Sequence, residues 1–583
     1  MSGGAGVPAH GGERVAAVLA VHGVPALFTL CGGHISPVLV AAKARGIRIV
    51  DVRDEATAVF AADAIARLTG IPGVAAVTAG PGLTNTITAL KNAQLAHSPL
   101  VLIGGAAPTA LQGRGALQDI DQRPLVAPHV KLVRRVRRVA DLGPAMTEAF
   151  AVAREGVPGP VFVECPVDLL YDEASIRQWY AEAGGRGTSL PDRLLRWYLG
   201  RHAQRMFAGA SQPYAAQARE VTLPVAGGHA VERASAALAE AERPLLVIGS
   251  QALTQAGNAR RLARAVGQLG VPVYLSGMGR GVLGREHALQ MRHARRDALR
   301  ASDCVLLGGV ACDFRLDYGR HIRRTATLIA ANRGRKEARL NRRPTVAAIG
   351  DAGEFIERLA ARLGDRAHRP AWTAELRARD QAREADIDAR AARPGELVNP
   401  VALFRAMDRI AADEAVFVAD GGDFVATASY VLRPRSPLSW LDPGVFGTLG
   451  VGAGFALGVA QARPGAELWL LWGDGASGYG LAEFDSFVRH RVPVIAVVGN
   501  DAAWSQIARE QVKLLHDDVG TVLARSAYHE VAKGFGAEGI EVKRQDEVEP
   551  ALRRAREIAA GGRAVLVNVW LEKTDFREGS ISM

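Results

Sequence analysis

The chain has 583 residues, 48% of them hydrophobic, with 64 glycines and a formal net charge of +11. That length accommodates three domains of ordinary size, each able to bury a core, and the glycine content suits an α/β protein with tight strand-to-helix turns. No apolar run approaches the roughly 18 residues a membrane-spanning helix needs, and Cys31, Cys165, Cys304 and Cys312 show neither metal-ligand spacing nor a disulfide framework.

Residues 1–12 carry no basic or apolar targeting segment, so a cytoplasmic protein is expected. The first unit, 12–185, alternates apolar strand runs at 26–30, 47–52, 74–78, 100–103 and 161–164 with helical stretches. Residues 186–224 lack clean periodicity and read as a linker. A second α/β unit, 225–365, has strand runs at 245–248, 273–275, 304–307 and 327–330. A charged stretch, 366–393, joins it to a third unit, 397–572, whose strands fall at 416–419, 468–472, 494–498 and 564–569. The fold expected is α/β: three doubly wound parallel-sheet domains. The tail, 573–583, combines Phe576, charges of both signs and Gly579, which suits an active-site lid. Arginine is concentrated at 134–138, 193–205, 292–300, 323–324 and 333–343. No helix-turn-helix pattern accompanies it, so neither nucleic acid nor membrane is expected as a partner. The readings left are a solvated arginine-rich surface and a pocket for a polyphosphate substrate tail.

The chemistry concentrates in the third unit. The run 468–472 ends in Gly473-Asp474-Gly475-Ala476, and the next apolar run ends in Gly499-Asn500-Asp501. In a right-handed strand–helix–strand unit both strand ends open on the same sheet edge, which brings Asp474 together with Asn500 and Asp501. Oxygen-bearing side chains plus a free carbonyl suit a Mg2+ that also grips a diphosphate. In the first unit, a strand run leads into Arg53-Asp54-Glu55-Ala56 at the start of a helix. A glutamate in a first helical turn is ordinarily a favourable dipole partner, and only its surroundings give it a chemical role.

Gly-Asp-Gly followed one strand–helix–strand unit later by Asn-Asn is the signature of thiamine diphosphate enzymes. The segment 473–501 resembles it, with Asp501 standing for the second Asn. The stretches 78–85, 159–168, 277–281 and 447–450 resemble further segments of that family, and the resemblance runs from about residue 12 to the end. It implies a pyrimidine-binding domain at 12–185, a middle domain at 225–365, a diphosphate-binding domain at 397–572, and thiamine diphosphate with Mg2+ as cofactors. Glu55 sits where the family's glutamate meets the aminopyrimidine. Asn85, Gly422, Asp423, Gly475, Ala476 and Trp504 fall at cofactor-binding positions. Gly447 would accept from the amino group, beside Thr448, and Leu449 would wedge between the two rings. Asp474, either Asn500 or Asp501, and the carbonyl of Ala503 would hold the metal. Gln118 would face the reacting carbon, and His34 is a candidate acid/base.

The family builds its sites across a subunit interface, which implies a homodimer or homotetramer. The segments 484–490, 498–511 and 574–582 look like the 2-hydroxyacyl-CoA lyase branch of the acetolactate-synthase-like enzymes. That likeness implies cleavage of a 2-hydroxyacyl-CoA to an aldehyde and formyl-CoA, or the reverse condensation. A CoA thioester would then be the partner, held by Arg323, Arg324 and Arg333 and covered by the tail. The alternatives are an acetolactate synthase condensing two pyruvates, and a non-catalytic regulatory subunit, against which the retained Glu55, Asp474 and Leu449 count.

Overall fold

The long apolar runs become central strands because only a position flanked by strands on both sides and helices on both faces removes all of their surface from water. In the computed structural model, which describes residues 10–185, 187, 189–212 and 214–578, they form three six-stranded, all-parallel sheets. The first holds β1 (Ala26–Thr29), β2 (Arg48–Asp51), β3 (Gly73–Val77), β4 (Leu100–Ala106), β5 (Val133–Arg135) and β6 (Pro160–Pro166), in the order β2-β1-β3-β4-β6-β5. The second holds β7 (Pro244–Ile248), β8 (Val273–Leu275), β9 (Gln290–Met291), β10 (Cys304–Gly308), β11 (Thr327–Asn332) and β12 (Val346–Ile349), in the order β12-β11-β10-β7-β8-β9. The third holds β13 (Val416–Asp420), β14 (Trp440–Leu441), β15 (Leu468–Gly473), β16 (Val494–Asn500), β17 (Glu538–Val542) and β18 (Val565–Trp570), in the order β14-β13-β15-β16-β18-β17. The three doubly wound sheets are those expected.

The chain packs as two compact units, residues up to 66 with 71–222, and 67–70 with the remainder. The first contains the first sheet; the second contains the other two. Each sheet reverses its winding at an inner pair of strands, β1 and β3, β7 and β10, or β13 and β15, and the first and third turn back again at the β6-β5 and β18-β17 edges. Loops leaving neighbouring strands diverge at such a point and open a crevice beyond the carboxyl ends. In the second sheet the protein's own backbone closes it. A Cβ on Gly309 would lie 2.1 Å from the nitrogen of Ala252, and one on Gly249 would lie 2.7 Å from the carbonyl of Gly309.

Two segments depart from expectation. Residues 186–224 are not a plain linker: Leu190–Met206 is a helix of 17 residues. Ser189 caps it by accepting from the backbone N–H of Asp192, and Pro191 sits in its first turn. Only Leu199, Ala203 and Met206 reach the core, at i, i+4 and i+7. Other apolar residues lie outside that stripe, which blurs the periodicity. The charged stretch after 366 is likewise a helix, Pro370–Ala391, anchored by Trp372, Leu376 and Ile387.

Candidate active site

The register of the third sheet places its chemistry. Trp472 pairs with Val498 and Gly473 with Gly499, so Asp474 and Asn500 leave the sheet side by side at the carboxyl edge. Asp474 opens a short helix, Asp474–Ser477, and is buried. Its Oδ1 accepts from the N–H of Gly475 at 2.8 Å, and among the described residues no hydrogen bond reaches its Oδ2. Burial, and then the charge of Asp501, push the Asp474 carboxyl up to about 7. Burial also raises Asp501, against a hydrogen bond from Ser505 Oγ. A buried carboxylate raised by a neighbouring one is an unstable arrangement by itself. An all-oxygen set of this kind is what a hard divalent cation takes. Ala502, between Asp501 and Ala503, is held at φ +56°, a conformation an alanine adopts only under constraint.

Asn500 is buried as well, and among the described residues no hydrogen bond reaches its Oδ1. Its Nδ2 donates to the carbonyl of Ser526 and to Asn568 Oδ1, both at 3.2 Å. Asp501, with Ser505, Asp423, Arg509, Lys573 and Arg577, lines a cavity of about 300 Å³. Asp423 opens the helix Asp423–Val431 and is ion-paired with Arg509. Small residues clear the ground: a Cβ on Gly475 would sit 2.5 Å from the Trp504 ring, and one on Gly422 would sit 2.8 Å from Gln506. Trp504 therefore forms the wall over the Gly-Asp-Gly turn.

Asp420, which the sequence did not single out, joins two parts of this site. It ends β13, is fully buried, and accepts from Gly450 N–H at 3.1 Å, Gly452 N–H at 2.8 Å and the Trp472 indole at 3.0 Å. It thereby pins the segment carrying Gly447, Thr448 and Leu449 against the strand that delivers Asp474. Thr448 Oγ1 donates onward to the Leu449 carbonyl, and Gly447 turns at φ +65°, where a side chain would strain the backbone. Because all of its partners are neutral, burial dominates and lifts Asp420 to about 6.

In the first unit the named residues also meet at one carboxyl edge. Glu55 opens the helix Glu55–Thr69 and is 6% exposed; Asn85 Nδ2 donates to its Oε2 at 3.0 Å. Gly82 lies between Glu55 and Thr78: a Cβ there would be 3.4 Å from Glu55 Oε1 and 2.7 Å from Thr78 Cγ2. Thr78 Oγ1 contacts His34 Nδ1 at 2.9 Å and donates to Gln118 Oε1 at 3.5 Å. Burial lowers the pKa of His34, favouring the neutral ring. Gln118 itself sits at φ +62°. The residue that fixes its loop is Gln122, also missed from sequence. Its amide donates to the Gly105 carbonyl at 3.1 Å and accepts from Gly80 N–H at 3.3 Å, tying the loop to β4 and to the turn after β3. Behind it Glu164, raised by burial against the pull of Arg135, pairs with that arginine at 3.0 Å. The cavity that Gln118, Gln122, Arg135 and Glu164 line is about 340 Å³.

On the substrate side one expectation changes. Arg333 is buried and spent on Asp351, with Nη2 and Nε at 2.7 and 3.1 Å from the same oxygen. Arg323 donates to the carbonyls of Ala301 and Ser302 behind a helix end. Neither is presented to a phosphate. The tail is fastened as far as Glu578: Phe576 is buried, edge-on to Tyr430 with centroids 6.3 Å apart, and Asp575 pairs with Arg390 at 3.1 Å. It lines the Asp501 cavity through Lys573, Thr574 and Arg577. Gly579 and the residues after it lie outside the described residues.

Comparison with known proteins matches three family models. They are the N-terminal TPP binding domain of thiamine pyrophosphate enzymes over 9–125, their central domain over 231–359, and their C-terminal TPP binding domain over 420–569. The chain is 50% identical over 581 residues to 2-hydroxyacyl-CoA lyase 2 of Bos taurus, covering 98% of this chain and 92% of that protein. It is 49% identical, over the same length and shares, to the Homo sapiens protein of that name. A probable acetolactate synthase of Mycobacterium bovis is 34% identical over 570 residues, covering 96% of this chain and 95% of that one.

Proposed function

The chain belongs to the thiamine pyrophosphate enzyme family, and from that premise we propose that it cleaves a 2-hydroxyacyl-CoA to an aldehyde and formyl-CoA, or runs the reverse condensation, with thiamine diphosphate and Mg2+ bound. The observation that carries this reading is the half-identity, across almost the whole chain, to proteins named 2-hydroxyacyl-CoA lyase 2. The buried, unpartnered Oδ2 of Asp474 beside Asp501 supports the cofactor part of it. Asp474, the Ala503 carbonyl and either Asp501, which lines the cavity, or Asn500, whose buried Oδ1 has no hydrogen bond among the described residues, would hold the cation. Gly422, Gly475 and Ala476 leave room for the diphosphate. Two copies of the chain would complete each site.

Bound thiamine diphosphate supplies the electron sink for carbon–carbon cleavage. The protein's part is positional and protonic. The Asn85 amide occupies Oε2 of Glu55, which leaves Oε1, facing Gly82, as the oxygen that would hold or release a proton toward the cofactor. Leu449, on a segment pinned by Asp420, would help hold the cofactor in place. Gln118, steadied through Thr78 and Gln122, orients the substrate carbonyl, and neutral His34 takes the hydroxyl proton from the edge beside it.

The test is turnover by the purified protein with thiamine diphosphate and Mg2+, followed by mass spectrometry. We expect aldehyde and formyl-CoA from a 2-hydroxyacyl-CoA, and a loss of at least ~100-fold in Glu55→Gln. Conversion of pyruvate to acetolactate without cleavage of the CoA substrate would replace this reading with the acetolactate synthase one.

A further inference from the structure

The helix Leu190–Met206 is amphipathic in an inverted sense. Its inward stripe is narrow, Leu199, Ala203 and Met206, and its outward face carries the larger apolar groups. Leu190 is 69% exposed, Leu194 57%, Trp197 63% and Tyr198 45%. These four recur at spacings of three and four and so share one face. The next turns of the same face carry Arg201 and Arg205, both exposed. The Arg201 guanidinium lies over the Trp197 ring, 5.6 Å from its centroid. Packed against this helix is Glu173–Ala183, which adds Trp179, 45% exposed and edge-on to Tyr171.

An apolar patch of this size on one helix is out of place in water. The acidic residues nearby are engaged: Asp192 with Ser189 at the helix cap, and Glu173 with Arg177 at 2.6 Å. The outward face presents leucines, two rings with polar edges, and the guanidinium groups of Arg201 and Arg205. Tryptophan and tyrosine of this kind settle at the headgroup level of a bilayer, leucines enter the acyl boundary, and arginines meet lipid phosphates.

We propose that the outward face of Leu190–Met206, with Trp179 at its flank, is a docking surface for an anionic lipid bilayer. The charge selects the occupant. In a two-fold contact with a second copy, an antiparallel crossing would set Arg201 and Arg205 of each against the apolar half of the other, and a parallel one would set them against each other; either desolvates them without a counter-charge. A phosphate-bearing lipid surface provides both the apolar layer and the anions. No membrane partner was expected from the sequence, because no spanning segment is present. Among the described residues no helix is long and apolar enough to cross a membrane, and surface docking requires none.

The experiment is co-sedimentation of the full-length protein with vesicles of phosphatidylcholine alone and of phosphatidylcholine mixed with phosphatidylglycerol. Binding is expected to the mixed vesicles only and to weaken as salt rises. The double variant Leu194→Ser/Trp197→Ser should cut the bound fraction at least ~10-fold. Arg201→Glu/Arg205→Glu should abolish the preference for anionic lipid. Both variants replace exposed side chains, so circular dichroism and turnover in solution should match the wild type. Absence of binding to the mixed vesicles, equal binding to both vesicle types, or wild-type binding by the variants would overturn the proposal. A variant that lowers the oligomeric state in analytical ultracentrifugation would overturn it in favour of a second copy as the occupant.

Discussion

The second unit buries carboxylates in two contrasting ways. Asp408 and Glu384 are wrapped in cations. Arg433 and Arg435 reach Asp408 at 2.6 and 2.8 Å and Arg285 reaches it at 3.1 Å, while Arg405, His293 and Arg292 reach Glu384 at 2.6, 2.8 and 3.0 Å. Burial pushes both acids up, and the cations more than reverse it: Asp408 ends below its ordinary range and Glu384 at about 2. Asp474 and Asp501 have no ion-paired arginine among the described residues; Gly475 N–H and Ser505 Oγ donate to them, and burial raises both. Where a buried charge serves architecture, the chain provides its counter-ions from its own side chains. Where it serves chemistry, the counter-charge is left for something that binds. Asp420 is a third kind, satisfied by neutral donors alone.

The contrast can be broken by exchanging the roles. Asp474→Asn should lower turnover by about 1,000-fold or more, through loss of several kcal/mol of charge stabilisation around the bound cation. It should nevertheless raise the melting temperature of the cofactor-free protein, because a repulsion is removed. A lowered melting temperature would show that Asp474 is structural. Asp408→Ala should do the opposite. It leaves three arginines around an empty place and should cost about 3–5 kcal/mol of stability in denaturant titration, while thiamine diphosphate affinity of the folded fraction stays within a few-fold. Asp420→Asn falls between. It keeps one acceptor and loses another, for about 1–3 kcal/mol, and should lower the turnover number more than it raises the Michaelis constant, since it loosens the Leu449 segment.

The smallest effect separates the two classes by pH. Asp474 in the cofactor-free protein has a folded pKa of about 7, above the roughly 3.9 of an unfolded aspartate. The folded state then holds more protons between these values, so stability falls as pH rises from 4 to 7. Glu384, at about 2 when folded, contributes stability that is present above roughly 4.3 and is lost as pH falls toward 2. Melting curves across this range should show the first slope vanish in Asp474→Asn, and the second vanish in Glu384→Gln. Persistence of the first slope in Asp474→Asn would place its origin elsewhere.

The central strands were legible to within a few residues because burial on both faces leaves no choice but an apolar run. The strands missed, β5, β9, β12, β14 and β17, are all sheet edges. An edge strand is half-paired and half-wet, so Arg134 or Glu541 is as acceptable there as valine, and the apolar signal disappears. Leu190–Met206 was hidden for the reverse reason: apolar residues on its outward face erased the stripe. At the site, Asp474 stands in a local Gly-Asp-Gly turn that can be seen in the sequence, while Glu55 and Gly447 stand out through the family resemblance of their segments. Asp420 and Gln122 could not be read, although Asp420 stands two residues before the named Gly422. Their partners lie 30 to 52 positions away for Asp420 and 17 and 42 for Gln122, and nothing local announces a hydrogen bond of that span.

Trp504 lies against Gly475, and the Trp472 indole ends on Asp420. The turn between them thus has a native chromophore on either side, one stacked on its backbone and one hydrogen-bonded to a carboxylate. Filling that turn changes the polarity around both rings at once, so the enzyme's intrinsic emission records its own loading without any added label.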